Sequence, residues 1–215
     1  MKLSAHCLTR RIACAVLIIF SLEGALAQPS PAAVPAAPSS SPDVGQAVAL
    51  PDLANALRKG GYVIYFRHAA TDFSKNDASM TSYSDCATQR MLSAQGRKDA
   101  RDMGRHIAAL KLPMGETLAS PMCRTMETAR LMLGRVTPQN DMREGASSDY
   151  PGLKRLLNNP VANGTNRWLV GHGTPFRTIA GAPHLGEGEA AVIRPEGTHW
   201  TVVARIQPQD WARLK

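Results

Sequence analysis

Aromatic residues are scarce in this chain: three Trp, four Tyr and four Phe make up 5% of its 215 residues. A protein that reads single-stranded nucleic acid by stacking bases on rings needs more of them, so that class is disfavoured despite a formal charge of +8. Cysteine is also scarce, four in all, and no Cys or His pair has the spacing of a zinc site. No Gly-rich loop ends in Lys-Ser or Lys-Thr, which removes the usual nucleoside-triphosphate cradle. The one long apolar run, Ile12 to Leu22, falls short of the ~20 residues a membrane-spanning helix needs. What is present is 44% hydrophobic and 20% charged, enough for a packed core with a solvated surface. The positive charge points to anionic partners without choosing among them.

The N-terminus reads as an address. Lys2, Arg10 and Arg11 precede the apolar run, and Ala25-Leu26-Ala27 has the small-x-small form of a cleavage site, so residues 1–27 are expected to be a secretory signal peptide. Its removal would take Cys7 and Cys14 away, leave Cys86 and Cys123, and keep the remainder basic with no segment able to span a membrane. In an exported protein these two can pair or stay separate thiols, and the oxidising setting favours the pair. Residues 28–46, rich in Pro, Ala and Ser, cannot bury a core and are expected to form an extended linker. A single folded domain is expected over 47–215.

Within it, Pro51-Asp52 to Gly60-Gly61 reads as a short helix, and Tyr62 to Phe66, β-branched and aromatic, as a buried strand. Ser93 begins a helix to about Leu110, with Ala100, Met103, Ile107 and Leu110 on its inner face and Arg97, Arg101 and Arg105 on a solvated outer one. Residues 116–119 form a strand; Ser120-Pro121 reads as an N-cap and first helical proline, opening a helix to Gly134. Residues 135–152 look irregular. A strand at 167–170, a helix at 175–180 and a strand pair at 190–194 and 198–206 complete the chain. Strands alternating with helices predict an α/β fold, a three-layer αβα sandwich around a mostly parallel sheet.

Three loops directly follow strands: Arg67-His68, Ser120 to Arg124, and His172. Ligands of open α/β sheets bind beyond the carboxyl ends of strands, so these loops are expected to converge. Two arginines, two histidines and a helix start beside Ser120 suit a dianionic phosphate. Gly186-x-Gly188-x-x-Ala191 superficially matches a dinucleotide motif but lacks the flanking strand and helix, and Glu187 and Glu189 would repel a pyrophosphate. His106, His184 and His199 fit no motif.

Phe66-Arg67-His68-Ala69-Ala70-Thr71 resembles the Arg-His-Gly-x-Thr motif of the histidine phosphatase, or phosphoglycerate mutase-like, superfamily. Leu92-Ser93-x-x-Gly96, Ser120-Pro121-Met122-Cys123-Arg124-Thr125-Met126-Glu127-Thr128-Ala129 and Val170-Gly171-His172-Gly173 resemble its later blocks in the same order. The resemblance implies a phosphomonoester hydrolase with His68 as nucleophile. Arg67, Arg124 and His172 would hold phosphoryl oxygens, Thr71 and Ser120 would contact substrate, and neither metal nor cofactor would be required. The arginines are expected to keep His68 neutral. A carboxyl group between the second helix and the last histidine is the family's usual acid, which suggests Glu144 with Asp149 in reserve; Glu127 is expected to orient the Arg124 segment. Ala69 stands where the motif has glycine, a substitution costing about 1 kcal/mol if that backbone needs positive φ. A phosphorylated small molecule or envelope glycan, met in the periplasm or outside the cell, is the expected partner, nucleic acid is not, and a catalytically weak or inactive phosphate-ester-binding protein of the same fold is the alternative.

Overall fold

The computed structural model describes residues 50–215, so the expected signal peptide and linker lie outside the described residues. Among the described residues five α-helices, α1 (Leu50–Lys59), α2 (Ala94–Ala109), α3 (Cys123–Leu133), α4 (Pro151–Asn158) and α5 (Gly173–Ala180), accompany six strands. The strands are β1 (Val63–Arg67), β2 (Met114–Ala119), β3 (Thr137–Pro138), β4 (Asn166–Gly171), β5 (Ala190–Pro195) and β6 (Trp200–Ile206). They form one sheet in the order β3-β2-β4-β1-β5-β6. The four from β3 to β1 run parallel, and β5 and β6 add an antiparallel margin.

Two cores flank this sheet because alternate strand residues point to opposite faces. Ile64 and Phe66 of β1 join Trp168, Val170 and Val192 under α1, α2 and α3, through Leu53, Leu57, Met103, Ile107, Met126 and Ala129. Val63 and Tyr65 join Leu169, Ala191 and Ile193 on the other face, under Leu153 and Leu157 of α4 and Phe176 of α5. The architecture is therefore a three-layer αβα sandwich around a mostly parallel sheet. The four inner-face residues expected for α2 are all buried.

Two local readings change. Ser120 does not cap α3: the helix begins at Cys123 after Met122, without a side-chain cap. The stretch 135–152 is not wholly irregular either, since β3 pairs with β2 there and a 3₁₀ turn spans Asn140–Met142. Both are too short to show a hydrophobic period.

Candidate active site

Strand register builds the site. Phe66 lies opposite Val170, and Val170 opposite Ala119, so the residues that follow, Arg67-His68, Gly171-His172 and Ser120, leave three adjacent parallel strands at one level. Backbone bonds fix the exits: His68 N donates to Gly171 O at 3.0 Å and Ser120 N to Val170 O at 3.0 Å. The start of α2 is packed hard against the loop after His68. At Gly96 an added Cβ would collide with the Ala70 carbonyl, which is why that turn carries glycine.

His68 and His172 face one another with ring centroids 5.7 Å apart and planes 69° apart. Both are buried. His68 Nδ1 donates to the Ala69 carbonyl at 2.9 Å. A carbonyl only accepts, so the proton sits on Nδ1 and the Nε2 lone pair is left free. Burial pushes the His68 pKa down to about 3, with Arg124, Arg67 and Arg90 adding to the shift against the Ala69 carbonyl. The arginines thus act in the expected direction, but desolvation is the larger cause. Burial, then Arg124, also holds His172 well below the ordinary imidazole range.

His172 is held from two sides. The Tyr65 hydroxyl donates to His172 O at 2.9 Å and accepts from His172 N at 2.9 Å. Ser120 Oγ lies 2.9 Å from His172 Nε2. Ser120 is therefore a support for the second histidine rather than a helix cap. Buried Nδ1 of His172, Nε of Arg67 and Nε of Arg124 have no hydrogen-bond partner among the described residues. Buried polar nitrogens left unpaired on Arg67, Arg124 and His172 suit an anionic ligand that would satisfy them.

Carboxylates surround the cationic centre. Glu144 Oε2 sits 3.7 Å from Arg124 Nη2 and 3.8 Å from His172 Nδ1, on a side chain 46% exposed. Its loop is tied down where Gly145 N donates to the buried Tyr150 hydroxyl at 3.2 Å. Asp149 faces Lys154 at 4.0 Å and is exposed; no contact brings it to the histidines. Asp77 accepts from Arg124 Nη1 and from Arg90 N, the latter at 2.8 Å. Glu187 accepts from Thr71 Oγ1 at 2.7 Å, while Arg90 Nη1 donates to that same hydroxyl at 3.0 Å.

Several expectations are thereby corrected. Thr71 spends its hydroxyl on Glu187 and Arg90. Glu127 reaches Arg97 at 2.7 Å rather than Arg124 itself, tying the helix that carries Arg124 to α2, so the α2 stripe is partly a bridge to α3. Ala69 is not among the described residues with positive φ, and it is buried against Leu92 and Ala100, so alanine fits without strain. Glu187, expected only to repel the pyrophosphate of a dinucleotide, lies beside Arg67, and His184 Nδ1 lies 3.4 Å from Arg67 Nη1. Arg90, Asp77, Glu187 and Tyr65 join the site although no motif points to them. Arg90 had a signal in its position just before Leu92-Ser93; the others become site residues only through long-range contacts.

Cys86 and Cys123 are joined by a disulfide, with Cα atoms 5.7 Å apart. It anchors the loop that carries Asp77 and Arg90 to the first residue of α3, next to Arg124. No group of His, Cys, Asp and Glu among the described residues is arranged to hold a metal ion.

A family model for the histidine phosphatase superfamily (branch 1) matches residues 63–160, from β1 to just past α4. Over that stretch, just under half of the chain, the sequence matches the histidine phosphatase superfamily. No curated protein matches it. Among solved structures, the SixA protein of Agrobacterium tumefaciens is 16% identical with a TM-score of 0.50, the alignment covering 69% of this chain and 99% of that one. The protein histidine phosphatase SixA bound to tungstate is 18% identical, with a TM-score of 0.49 and coverage of 69% and 98%. A phosphoserine phosphatase variant of Entamoeba histolytica, complexed with phosphoserine, is 14% identical, with a TM-score of 0.48 and coverage of 69% and 98%. The likeness to the Agrobacterium tumefaciens structure, at 16% identity, is one of fold. The family match supports phosphatase activity in general terms.

Proposed function

We propose that this protein belongs to the histidine phosphatase superfamily and hydrolyses phosphomonoesters through a phosphohistidine formed on His68. The observation that carries the reading is the state of that ring: Nδ1–H is committed to the Ala69 carbonyl, and burial keeps the imidazole neutral. Nε2 is thus a lone pair available at physiological pH, and a neutral ring is what a nucleophile at phosphorus requires. As Nε2 bonds phosphorus, the phosphorus–oxygen bond to the leaving group breaks and that oxygen takes the electron pair. Glu144, beside Arg124 and His172, is placed to donate its proton there. Water then attacks phosphorus, its proton passing to the Glu144 carboxylate, while the nitrogen–phosphorus bond breaks and its pair returns to Nε2.

Arg67, Arg124 and His172 supply fixed donors for the non-bridging oxygens, with unpaired nitrogens already in place. Preorganised positive groups stabilise charge spread over a transferring phosphoryl without needing to reorient. Arg90 adds a third guanidinium to the field on both histidines. We further propose action in the cell envelope on a phosphorylated small molecule or glycan. The signal-like N-terminus and the Cys86–Cys123 bond support that location.

The test is hydrolysis of a chromogenic aryl phosphate by the purified protein in EDTA. Turnover that His68→Ala abolishes is the expected result. Binding of phosphate esters without hydrolysis, or loss of turnover to the chelator, would overturn the reading.

A further inference from the structure

Glu187 lies on the far side of the nucleophilic ring from the lone pair. Its Oε1 is 3.9 Å from His68 Nδ1, 3.8 Å from Arg67 Nη2 and 2.7 Å from Thr71 Oγ1, and its side chain is only 19% exposed. The segment carrying it is fastened to the histidine's own backbone. Gly188 N donates to His68 O at 2.9 Å, and Arg67 N to Glu189 O at 3.0 Å. Glu189 is buried, accepts from Gly186 N at 2.6 Å and pairs with Arg205 Nε at 2.6 Å. Arg67 Nη1 donates to Leu185 O at 2.8 Å. The turn is thus bolted to β1 at both ends, and the carboxylate at its tip is aimed at the Nδ1 edge by structure on each side.

We propose that Glu187 is a positioning residue that stabilises the positive charge His68 acquires on becoming phosphorylated. The inference rests on the phosphohistidine reading above. A neutral imidazole that keeps its Nδ1 proton while Nε2 bonds phosphorus becomes an imidazolium. The Ala69 carbonyl takes the proton's hydrogen bond but brings no net charge. Glu187 is the carboxylate facing that edge, in a partly buried setting where water screens little. Arg67, Arg90 and Arg124 oppose the charge on the ring, so a counter-charge on the Nδ1 side lets the arginines grip the phosphoryl while the nucleophile remains able to give up electrons. The same carboxylate holds Thr71, keeping the loop after His68 in register.

Charge stabilisation has a signature that simple support lacks. Favouring the charged ring speeds formation of the phosphoenzyme and slows its breakdown, because the ring becomes a poorer leaving group. Rapid-quench measurement of both steps on Glu187→Gln is the experiment, with His68 phosphorylation followed directly. Phosphorylation is expected to slow by about tenfold or more, while dephosphorylation is unchanged or faster. Glu187→Asp, which keeps the charge, is expected to recover most of the phosphorylation rate without slowing dephosphorylation. Equal slowing of both steps in Glu187→Gln, no change in either, or an aspartate variant as slow as the glutamine one overturns the proposal. Should the glutamine variant not fold, the two rates in Glu187→Asp decide, since slowed dephosphorylation there overturns it. A wild type that turns over without a labelled His68 fails at the underlying reading instead, so the two failures are distinguishable.

Discussion

Asp77 holds Arg124 by one nitrogen: its Oδ2 and Oδ1 lie 3.0 and 3.2 Å from Nη1, leaving buried Nε unpaired. A carboxylate therefore shares the guanidinium that an incoming phosphoryl must use. Asp77→Asn keeps an acceptor for Arg124 and removes the competing charge. Inhibition by inorganic phosphate is expected to tighten roughly threefold to tenfold, with some loss of thermal stability, because partly exposed ion pairs of this kind couple by about 1 kcal/mol. Steady-state kinetics with phosphate as competitor checks it; weaker phosphate binding would show that Asp77 serves to orient Arg124.

The two buried histidines tie stability to pH. Both have folded pKa values below the ordinary 6.5, His68 at about 3. Below pH 6.5 the unfolded chain takes up protons that the native rings refuse. The contribution is complete above that pH and is lost as pH falls through 6.5 toward the folded values. Each ring is expected to cost about 1.4 kcal/mol per pH unit in that window. Urea unfolding at pH 7, 6 and 5 measures the slope, and His68→Gln is expected to reduce it by about half.

Cleaving the disulfide acts on the site as well as on the fold. Cys86 and Cys123 are 37 residues apart, and a bridge over such a loop stabilises by about 4 kcal/mol in the chain-entropy account. The paired Cys86→Ser and Cys123→Ser variant is expected to lose several kcal/mol in urea unfolding. Its KM is expected to rise more than its kcat falls, because the loop bearing Asp77 and Arg90 loses its tether to α3 while His68 stays on β1. An unchanged KM would show that the loop holds its place without the bond.

Ala69→Gly restores the residue of the family motif yet is expected to gain nothing. Ala69 is buried against Leu92 and Ala100, and its backbone does not call for glycine. Losing a packed methyl and adding unfolded-state freedom is expected to cost about 1 kcal/mol. Thermal unfolding and kcat on the aryl phosphate check this; a faster enzyme would mean that the alanine restrains His68.

Chain order and local pattern carried much of this protein. The β-branched and aromatic run of β1, the spacing of Ala100, Met103 and Ile107, and the strand-to-loop positions of Arg67, His68, Ser120 and His172 are short-range features, so the fold class and the approach of two histidines were legible from residue order. The supporting groups were not. Ser120 reads locally as a helix cap because serine before proline does so elsewhere, and only the register of β2 against β4 turns it toward His172. Glu187 reads as an acidic loop residue until the backbone of β1 draws its turn to His68; Asp77 and Tyr65 likewise gain meaning from partners 47 and 107 positions away. Side-chain pattern reports what a residue does to its own segment. Burial, counter-charge and proton position depend on which distant segments share the space, and tertiary packing alone decides that.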